Sequence, residues 1–440
     1  MAASVFDSPL FAKLFPTGEM GRLFTDTAAL RAMLLVEGAL AKVQGKLGVI
    51  PEDSGAAIHR ASLEIAIDPG AIATSTGQNG VPVPGLVDAF RKEMEAPEHS
   101  AYVHWGATSQ DIIDTALMLR LRQALLLAEA DIKAILKALA EHANKYADQP
   151  MPARTYSQHA TPTSWGAVVA AWGMPLLETL KELEQLRASS IWVSLSGAAG
   201  TSSALGTQAN QTRADLAAAL GLNNPMRSWH TDRTPILRIA DWMSRVTTIL
   251  GAMGQSLIGL SASGIQEVSL GGSGASSTMP QKQNPVAPSA IVALSNQVAG
   301  LRSCLHTAAT HQHQRDGAAW FTEWMVLPQI MLSGAAALEH AKTLAAQMTP
   351  QTQQMETALG GHGLIHAEAL SFALAEMMPR PDAQAMTKNL CRDTISADSD
   401  LPTVALAAYP ALDPATFHPS DQMGQAPEQA RAFAAAVKAL

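Results

Sequence analysis

Residues 112–146 read IIDTALMLRLRQALLLAEADIKAILKALAEHANKY, a long stretch with one continuous periodicity. Apolar side chains such as Leu117, Leu121 and Leu125 recur at the spacing of one face of an α-helix. At about 35 residues, the predicted helix is roughly three times the usual length. A helix this long is typical of an extended bundle or of the core of an oligomer.

Other segments repeat apolar residues with the same period, whereas almost none alternates with period two, and hairpin signals are missing. The sequence therefore predicts an all-α fold. We expect irregular connections where Gly, Pro and Ser accumulate. The further helices are predicted at about 27–47, 163–189, 235–264, 285–310, 318–348 and 428–440, and the irregular stretches at 71–84, 150–162, 194–206 and 271–288.

These helices imply a three-domain chain with the long helices in its middle. We predict an N-terminal helical domain at 1–110, a central long-helix bundle at 111–358 and a C-terminal helical domain at 359–440. Helices of this length expose more apolar surface than one subunit can cover, which favours an oligomer.

The composition limits the possible partners and compartments. The 440 residues include 30 basic and 38 acidic side chains, a net charge of −8 that favours neither nucleic acid nor anionic membranes as partners. Hydrophobic residues make up 47% and charged residues 15%, which excludes intrinsic disorder. Two cysteines, and no apolar run of signal-peptide or membrane-spanning type, predict a cytoplasmic protein.

Several familiar catalytic motifs are missing from the sequence. It contains no phosphate-binding Gly-x4-Gly-Lys loop, no zinc-spaced cysteine pair, no His-Glu-x-x-His and no Gly-x-Ser-x-Gly. His306, His311 and His313 lie close together, but without a neighbouring carboxylate ligand we favour helix-end histidines over a metal site.

Residues 271–285 form the most conspicuous irregular segment and read GGSGASSTMPQKQNP. Its glycines allow close backbone approach, and its serines offer a hydroxyl that could carry a proton. Lys282 and Asn284 are two residues apart, so an extended backbone points both side chains the same way, as a clamp for a carboxylate. From composition alone, a surface linker between two helices is an equal alternative.

Two residues before the long helix suggest both a cap and a binding site. Thr108 and Asp111 have the spacing of an N-terminal capping pair. Thr108 and Ser109 also lie at a helix start, where free amides favour a substrate carboxylate.

Three segments, in order along the chain, resemble the signature blocks of the fumarase/aspartase superfamily. They are residues 104–116 (HWGATSQDIIDTA), 154–163 (RTYSQHATPT) and 276–285 (SSTMPQKQNP). The resemblance implies a homotetramer whose active sites combine the three blocks from three different subunits. It implies a small polycarboxylate substrate and calls for no metal or organic cofactor.

The residues at two positions indicate which members of the superfamily the chain resembles most. Many members place a His after the Arg-Thr of the second block and a Glu five residues beyond the signature Asn; here these positions are Tyr156 and Ser289. Without that acid pair, the chain is poorly suited to expelling an amine or water. The bacterial 3-carboxy-cis,cis-muconate cycloisomerases commonly lack the pair. Residues 102–111, 229–233, 313–324 and 363–369 resemble segments of that family, whereas Tyr156, Gln281 and Gln283 depart from its usual Trp, His and Arg.

The resemblance implies an intramolecular lyase that interconverts 3-carboxy-cis,cis-muconate and a carboxymuconolactone, a step of the protocatechuate branch of the β-ketoadipate pathway, through an aci-carboxylate-type intermediate. A fumarate-releasing carbon–nitrogen lyase, with Tyr156 as the replacement acid, and a non-enzymatic scaffold remain alternatives. The catalytic residues that the resemblance implies are Ser276, Lys282 and Asn284. The implied substrate-binding residues are His104, Thr108, Ser109, Arg154, Thr155, Gln158, Ser277, Met279, Arg233 and Arg315. The possible auxiliary acids are Tyr156, His159 and His230.

Overall fold

The structure is a computed structural model that describes residues 4–272, 274–275, 279 and 282–440. Most of the described residues are helical, and the strands form three two-stranded antiparallel ladders. The predicted all-α class is therefore confirmed.

The contacts within the chain define two compact units. The first comprises Met1–Asp131, Thr179–Thr248 and Ala293–Glu339, and the second comprises Ile132–Glu178, Ile249–Val292 and His340–Leu440. The division into domains at 1–110, 111–358 and 359–440 stays a prediction.

The first unit begins with short helices around one long amphipathic helix, α2. The Thr25 hydroxyl accepts a hydrogen bond from the Ala28 amide at 3.2 Å and caps α2, which ends before Gly48. Its apolar face is buried, as predicted. The first six helices are α1 (Gly18–Arg22), α2 (Asp26–Lys46), α3 (Glu52–Glu64), α4 (Pro69–Asn79), α5 (Val83–Glu93) and α6 (Pro97–Ser100).

Helix α4 corrects the prediction of an irregular stretch at 71–84, most of which is helical. The Asp68 carboxylate accepts from the Gly70 amide at 3.1 Å, Pro69 opens the first turn, and Gly80, with φ of 70°, ends the helix. These start and stop signals lie in the sequence, but the polar composition between them resembles a loop.

The predicted long helices are confirmed to within a few residues, apart from the segment at 163–189, which divides into α8 and α9. The helices of this part of the chain, including α10, which the sequence analysis does not predict, are α7 (Ser109–Lys145), α8 (Trp165–Lys181), α9 (Leu183–Ser190), α10 (Ala209–Leu220), α11 (Thr234–Leu260), α12 (Val286–Ala308) and α13 (Gly317–Gln347).

A β-hairpin replaces the irregular stretch predicted at 150–162. Strands β1 (Pro150–Thr155) and β2 (Gln158–Ser164) pair antiparallel through a two-residue turn at Tyr156 and Ser157. Both turn residues have positive φ, 51° and 61°, which the sequence did not signal because Gly or Asn normally occupies such turns. The remaining ladders pair β3 (Val268–Ser269) with β6 (Thr349–Pro350) and β4 (Gly274–Ala275) with β5 (Gln283–Asn284).

The C-terminal part of the second unit has its own apolar cluster. Leu370, Leu374, Leu390, Leu401 and Phe417 pack there with little or no solvent exposure. The helices of this part are α14 (Thr352–Leu359), α15 (Ala367–Ala375), α16 (Arg380–Ser396), α17 (Leu401–Ala408) and α18 (Ala426–Lys438). Helix α18 confirms the terminal helix predicted at 428–440 to within two residues at each end.

Gly166, at the start of α8, provides a test of close packing in the second unit. A Cβ atom there would lie 2.5 Å from the Ala143 carbonyl oxygen and 2.7 Å from the Ala147 Cα, and backbone atoms yield little. We expect Gly166→Ala to lower the free energy of unfolding by on the order of 1–3 kcal/mol, measured by urea denaturation. Gly259→Ala is the control: its Cβ would meet no heavy atom within 4 Å. That substitution should raise stability by about 0.5–1 kcal/mol, and equal effects would contradict the packing argument.

Candidate active site

The start of α7 belongs to the first resemblance segment, and its geometry confirms the predicted capping pair. The Thr108 amide donates to Asp111 Oδ2 at 3.0 Å. The Thr108 hydroxyl oxygen lies 3.5 Å from Arg315 Nη2, so it faces an exposed cation. Thr108 and Ser109 are both partly exposed at this helix start. An anion there would meet backbone amides and a guanidinium together.

Asp111 joins three separate segments of the first unit. Besides the Thr108 amide, its buried carboxylate accepts from the amides of Ser196 and Gly197 at 2.8 and 2.9 Å. The Ser194 hydroxyl donates at 3.1 Å, and His230 Nε2 lies 2.8 Å away. The Gly- and Ser-rich stretch after Ser194 is thereby held against the start of α7.

His230 was predicted as a possible auxiliary acid, and it is only 2% exposed. Its Nε2 faces Asp111, while its buried Nδ1 has no hydrogen-bond partner among the described residues. Trp229, beside it in sequence, donates from Nε1 to the Val193 carbonyl at 2.9 Å. A proton-transfer role for His230 stays a prediction.

Gln110 fixes the exposed cation Arg315. Its side-chain oxygen accepts from Arg315 Nε at 2.8 Å. Its amide nitrogen donates to Asp114 Oδ2 at 3.2 Å and to the His230 carbonyl at 2.9 Å. A fully buried amide therefore orients a guanidinium that the resemblance assigned to substrate binding.

Arg233, also predicted to bind substrate, lies in the core between two carboxylates. It donates to both oxygens of Asp114 at 2.8 and 3.0 Å and to both oxygens of Glu323 at 2.8 and 2.7 Å. Burial raises the pKa of Glu323; Asp114 raises it further, and Arg233 opposes them. This geometry is typical of a positioning residue, because each of the three guanidinium nitrogens donates to a carboxylate oxygen. Direct contact of Arg233 with substrate stays a prediction.

His104 of the first resemblance segment contacts a buried acid, Glu37. Its Nδ1 lies 2.7 Å from Glu37 Oε1, and Glu37 is only 1% exposed. Burial lowers the pKa of His104, but the Glu37 and Asp111 carboxylates outweigh burial and leave the pKa above the usual 6.5. His104 itself stays partly exposed, so its imidazole is accessible at the surface.

In the second unit, Arg154 is anchored by a buried acid. It donates from Nη1 and Nη2 to the two oxygens of Glu267 at 2.8 and 2.6 Å, and Glu267 has no solvent exposure. His159 Nε2 lies 3.3 Å from Arg154 Nη2. The hairpin therefore holds Arg154 and His159 side by side at its end.

The tip of that hairpin presents the remaining residues of the second segment to solvent. Thr155 and Gln158 are register partners, and Tyr156 between them is fully exposed. Among the described residues, the Tyr156 hydroxyl has no hydrogen-bond partner that would identify it as an acid. Its role stays a prediction, as do those of Thr155 and Gln158.

The third segment is described only in part, because Ser276, Ser277 and Gln281 lie outside the described residues. Met279 and Lys282 are exposed, and the Lys282 amide donates to the Met279 carbonyl at 3.0 Å. Asn284, in β5, pairs with Gly274.

Sequence reasoning did not identify the buried acids and the amide that position these cations. Each is a polar side chain within an apolar environment, which is a usable signal: Glu37 lies on the buried face of α2, and Asp114 follows Ile112 and Ile113. The positioning residues found only in the structure are Glu37, Gln110, Asp114, Glu267 and Glu323.

The described residues contain no candidate metal site. Among them, no group of three or more His, Cys, Asp or Glu side chains is arranged to hold a metal ion. No helix in the same part of the chain is both long and apolar enough to cross a membrane.

The helical fold is that of a lyase. A family model described as Lyase matches residues 15–300, and the chain belongs to this family, within the fumarase/aspartase superfamily. The chain is 36% identical to the 3-carboxy-cis,cis-muconate cycloisomerase of Pseudomonas aeruginosa, over 90% of this chain and 87% of that protein. Identity to the same enzyme of Pseudomonas putida is 35%, over 90% and 95%. The crystal structure of the 3-carboxy-cis,cis-muconate lactonizing enzyme from Pseudomonas putida has a TM-score of 0.91 at 32% identity, covering 98% of this chain and 99% of that one.

The His104–Glu37 pair predicts a pH-dependent contribution to stability. Because the folded-state pKa of His104 is raised, the pair stabilises fully below about 6.5 and loses its effect as pH rises through the folded-state pKa. His104→Gln should therefore lower the free energy of unfolding more at pH 5.5 than at pH 9, measured by urea denaturation. Repeating the substitution in a Glu37→Gln background is the control. A pH dependence that survives there would show that Glu37 is not its cause.

Proposed function

We propose that this enzyme interconverts 3-carboxy-cis,cis-muconate and a carboxymuconolactone. The observation that carries the proposal is the similarity, over 90% of the chain, to four cycloisomerases with this substrate at 33–36% identity. The proposed reaction is an internal addition without loss of a fragment, and the similarity to these cycloisomerases supports assigning it to the protocatechuate branch of the β-ketoadipate pathway.

The side chains at two positions support an internal addition over expulsion of an amine. Tyr156 and Ser289 occupy the positions where many superfamily members have a His–Glu acid pair. Tyr156 is fully exposed, and the Ser289 hydroxyl donates to the Pro285 carbonyl at 2.7 Å. In the part of the chain that the structure describes, neither hydroxyl is hydrogen-bonded to a charged group that would tune a strong general acid.

The proposed reaction needs one proton transfer and stabilisation of a carboxylate that gains charge. In lactonisation, a carboxylate oxygen bonds to an alkene carbon, and the neighbouring carbon takes a proton. In the reverse direction, removal of that proton gives an aci-carboxylate, and the carbon–oxygen bond then breaks. We assign the proton transfer to Ser276 and stabilisation of the charge to Lys282, Asn284 and loop amides.

The substrate carries three carboxylates, so several cations must face it. Arg154 and Arg315 suit this role because Glu267 and Gln110, both buried, fix their orientations. His104 adds a cation whose pKa is raised by Glu37. We propose that Thr108, Ser109, Thr155, Gln158, Ser277 and Met279 complete the binding site, with His159 or His230 assisting Ser276.

Turnover of 3-carboxy-cis,cis-muconate by the purified protein tests this function. We expect loss of the diene absorbance with formation of a carboxymuconolactone. Ser276→Ala should lower kcat by about 10²–10⁴-fold while leaving substrate binding largely intact. Ser256→Ala is the control, because that hydroxyl donates to the Ala252 carbonyl within α11. Unchanged turnover in Ser276→Ala would remove Ser276 from the mechanism. Release of fumarate from a substituted succinate, without lactone formation, would favour the carbon–nitrogen lyase instead.

We also propose that the active enzyme is a cytoplasmic homotetramer with sites shared between subunits. The long helices α7 and α13 expose apolar side chains, Leu126 at 45% and Met325 at 62%, which association would bury. Cys304 and Cys391 are both free thiols, in keeping with a reducing compartment.

A subunit-mixing experiment tests the shared sites. We expect Thr108→Val and Ser276→Ala each to be nearly inactive alone, because each removes a required hydroxyl from one segment of every site. If each site takes these segments from different subunits, random co-assembly restores about a quarter of the sites in an equimolar mixture. Activity after co-refolding, with the tetramer checked by light scattering, measures this. A mixture no more active than its components would contradict the shared sites.

A further inference from the structure

A cavity of about 640 Å³ opens in the first unit. Its lining includes none of the residues to which we assign proton transfer or substrate binding. Helices α2, α4, α7 and α13 form its walls, which are mostly apolar. Its volume is within the range of small-molecule sites. The apolar walls include Leu30, Met33, Ile72, Ile113, Trp324 and Leu327.

One guanidinium on the wall, that of Arg120 in α7, lacks a full set of partners. Its Nη1 donates to the Leu23 carbonyl at 3.3 Å, and its carbon lies 5.9 Å from the centre of the Phe24 ring. Its Nε is buried and has no hydrogen-bond partner in the part of the chain that the structure describes. Burial lowers the pKa of Arg120 to about 10, although Asp26 acts in the opposite direction.

Neither of the other charged groups on the wall accepts a hydrogen bond from this guanidinium. Asp26 is exposed at the start of α2, where solvent screens its charge. Glu323 directs both carboxylate oxygens to Arg233, at 2.8 and 2.7 Å. Unlike Nε, the Arg120 Nη2 atom is not fully buried; it too has no acceptor among the described residues, and an incoming carboxylate would provide one.

We propose that this cavity is a second ligand site, which binds a small monocarboxylate with an apolar, ring-sized body. The carboxylate accepts from the Arg120 guanidinium, and the body fills the apolar space between α2 and α4. This assignment does not rest on the proposed reaction: Glu323, which orients Arg233, is the one wall residue with a place in the candidate active site, and the proposed ligand contacts Arg120 instead.

Benzoate is a suitable probe, and benzyl alcohol is its uncharged counterpart. Titration calorimetry of the intact protein should give a benzoate dissociation constant on the order of 1 mM, with benzyl alcohol at least about tenfold weaker. Arg120→Met should weaken benzoate at least about tenfold, and the variant should fold, because it removes a desolvated cation that lacks a full set of partners.

Two further variants test whether benzoate occupies the cavity and whether the loss of any arginine from α7 would weaken its binding. Gly77→Leu should also weaken benzoate, because Gly77 lines the cavity and has open space for a side chain. Arg122→Met should leave binding unchanged: Arg122 donates to the carbonyls of Leu220 and Gly221 and does not line the cavity. The proposal is overturned if benzoate does not bind, if Arg120→Met binds it as well as the native protein, or if benzyl alcohol binds equally well. It is also overturned if benzoate binding is abolished by 3-carboxy-cis,cis-muconate in competition, which would place benzoate in the catalytic site.

Discussion

The buried carboxylate of Asp111 is the interaction on which the first unit's site depends. It accepts hydrogen bonds from the start of α7, from the amides of Ser196 and Gly197 and from the Ser194 hydroxyl, and it faces His230. In sequence, Asp111 lies 83 residues from Ser194 and 119 residues from His230. Because each donor would be unsatisfied without this acceptor, the carboxylate fixes their geometry together.

Cations at the candidate site share one design: a polar side chain in the core orients a charged group nearer the surface. Gln110 orients Arg315, Glu37 faces His104, and Glu267 binds Arg154 through both oxygens. A long side chain loses rotamer freedom when it binds a ligand. Orienting it beforehand lowers that entropic cost, so these partners suit the site to the polyanionic substrate that we propose.

Periodicity predicted the long helices well because their apolar spacing extends over many turns, whereas short elements were predicted poorly. Helix α4 carries its signals only at its ends, in Asp68, Pro69 and Gly80. The hairpin β1–β2 turns at Tyr156 and Ser157, whose positive φ angles follow from strand pairing and not from their own preferences. Local composition therefore could not reveal either element.

The sequence by itself determined the all-α class, the long helices, the superfamily and the residue types of the candidate site. It also indicated the Thr108–Asp111 cap, because both partners lie within one helical turn. Only the tertiary structure decided which buried groups hold the cations. Glu267 lies 113 residues from Arg154, and Glu323 lies 90 residues from Arg233. Such pairs form because burying one charge requires a partner, and the folded chain alone decides which partner is near.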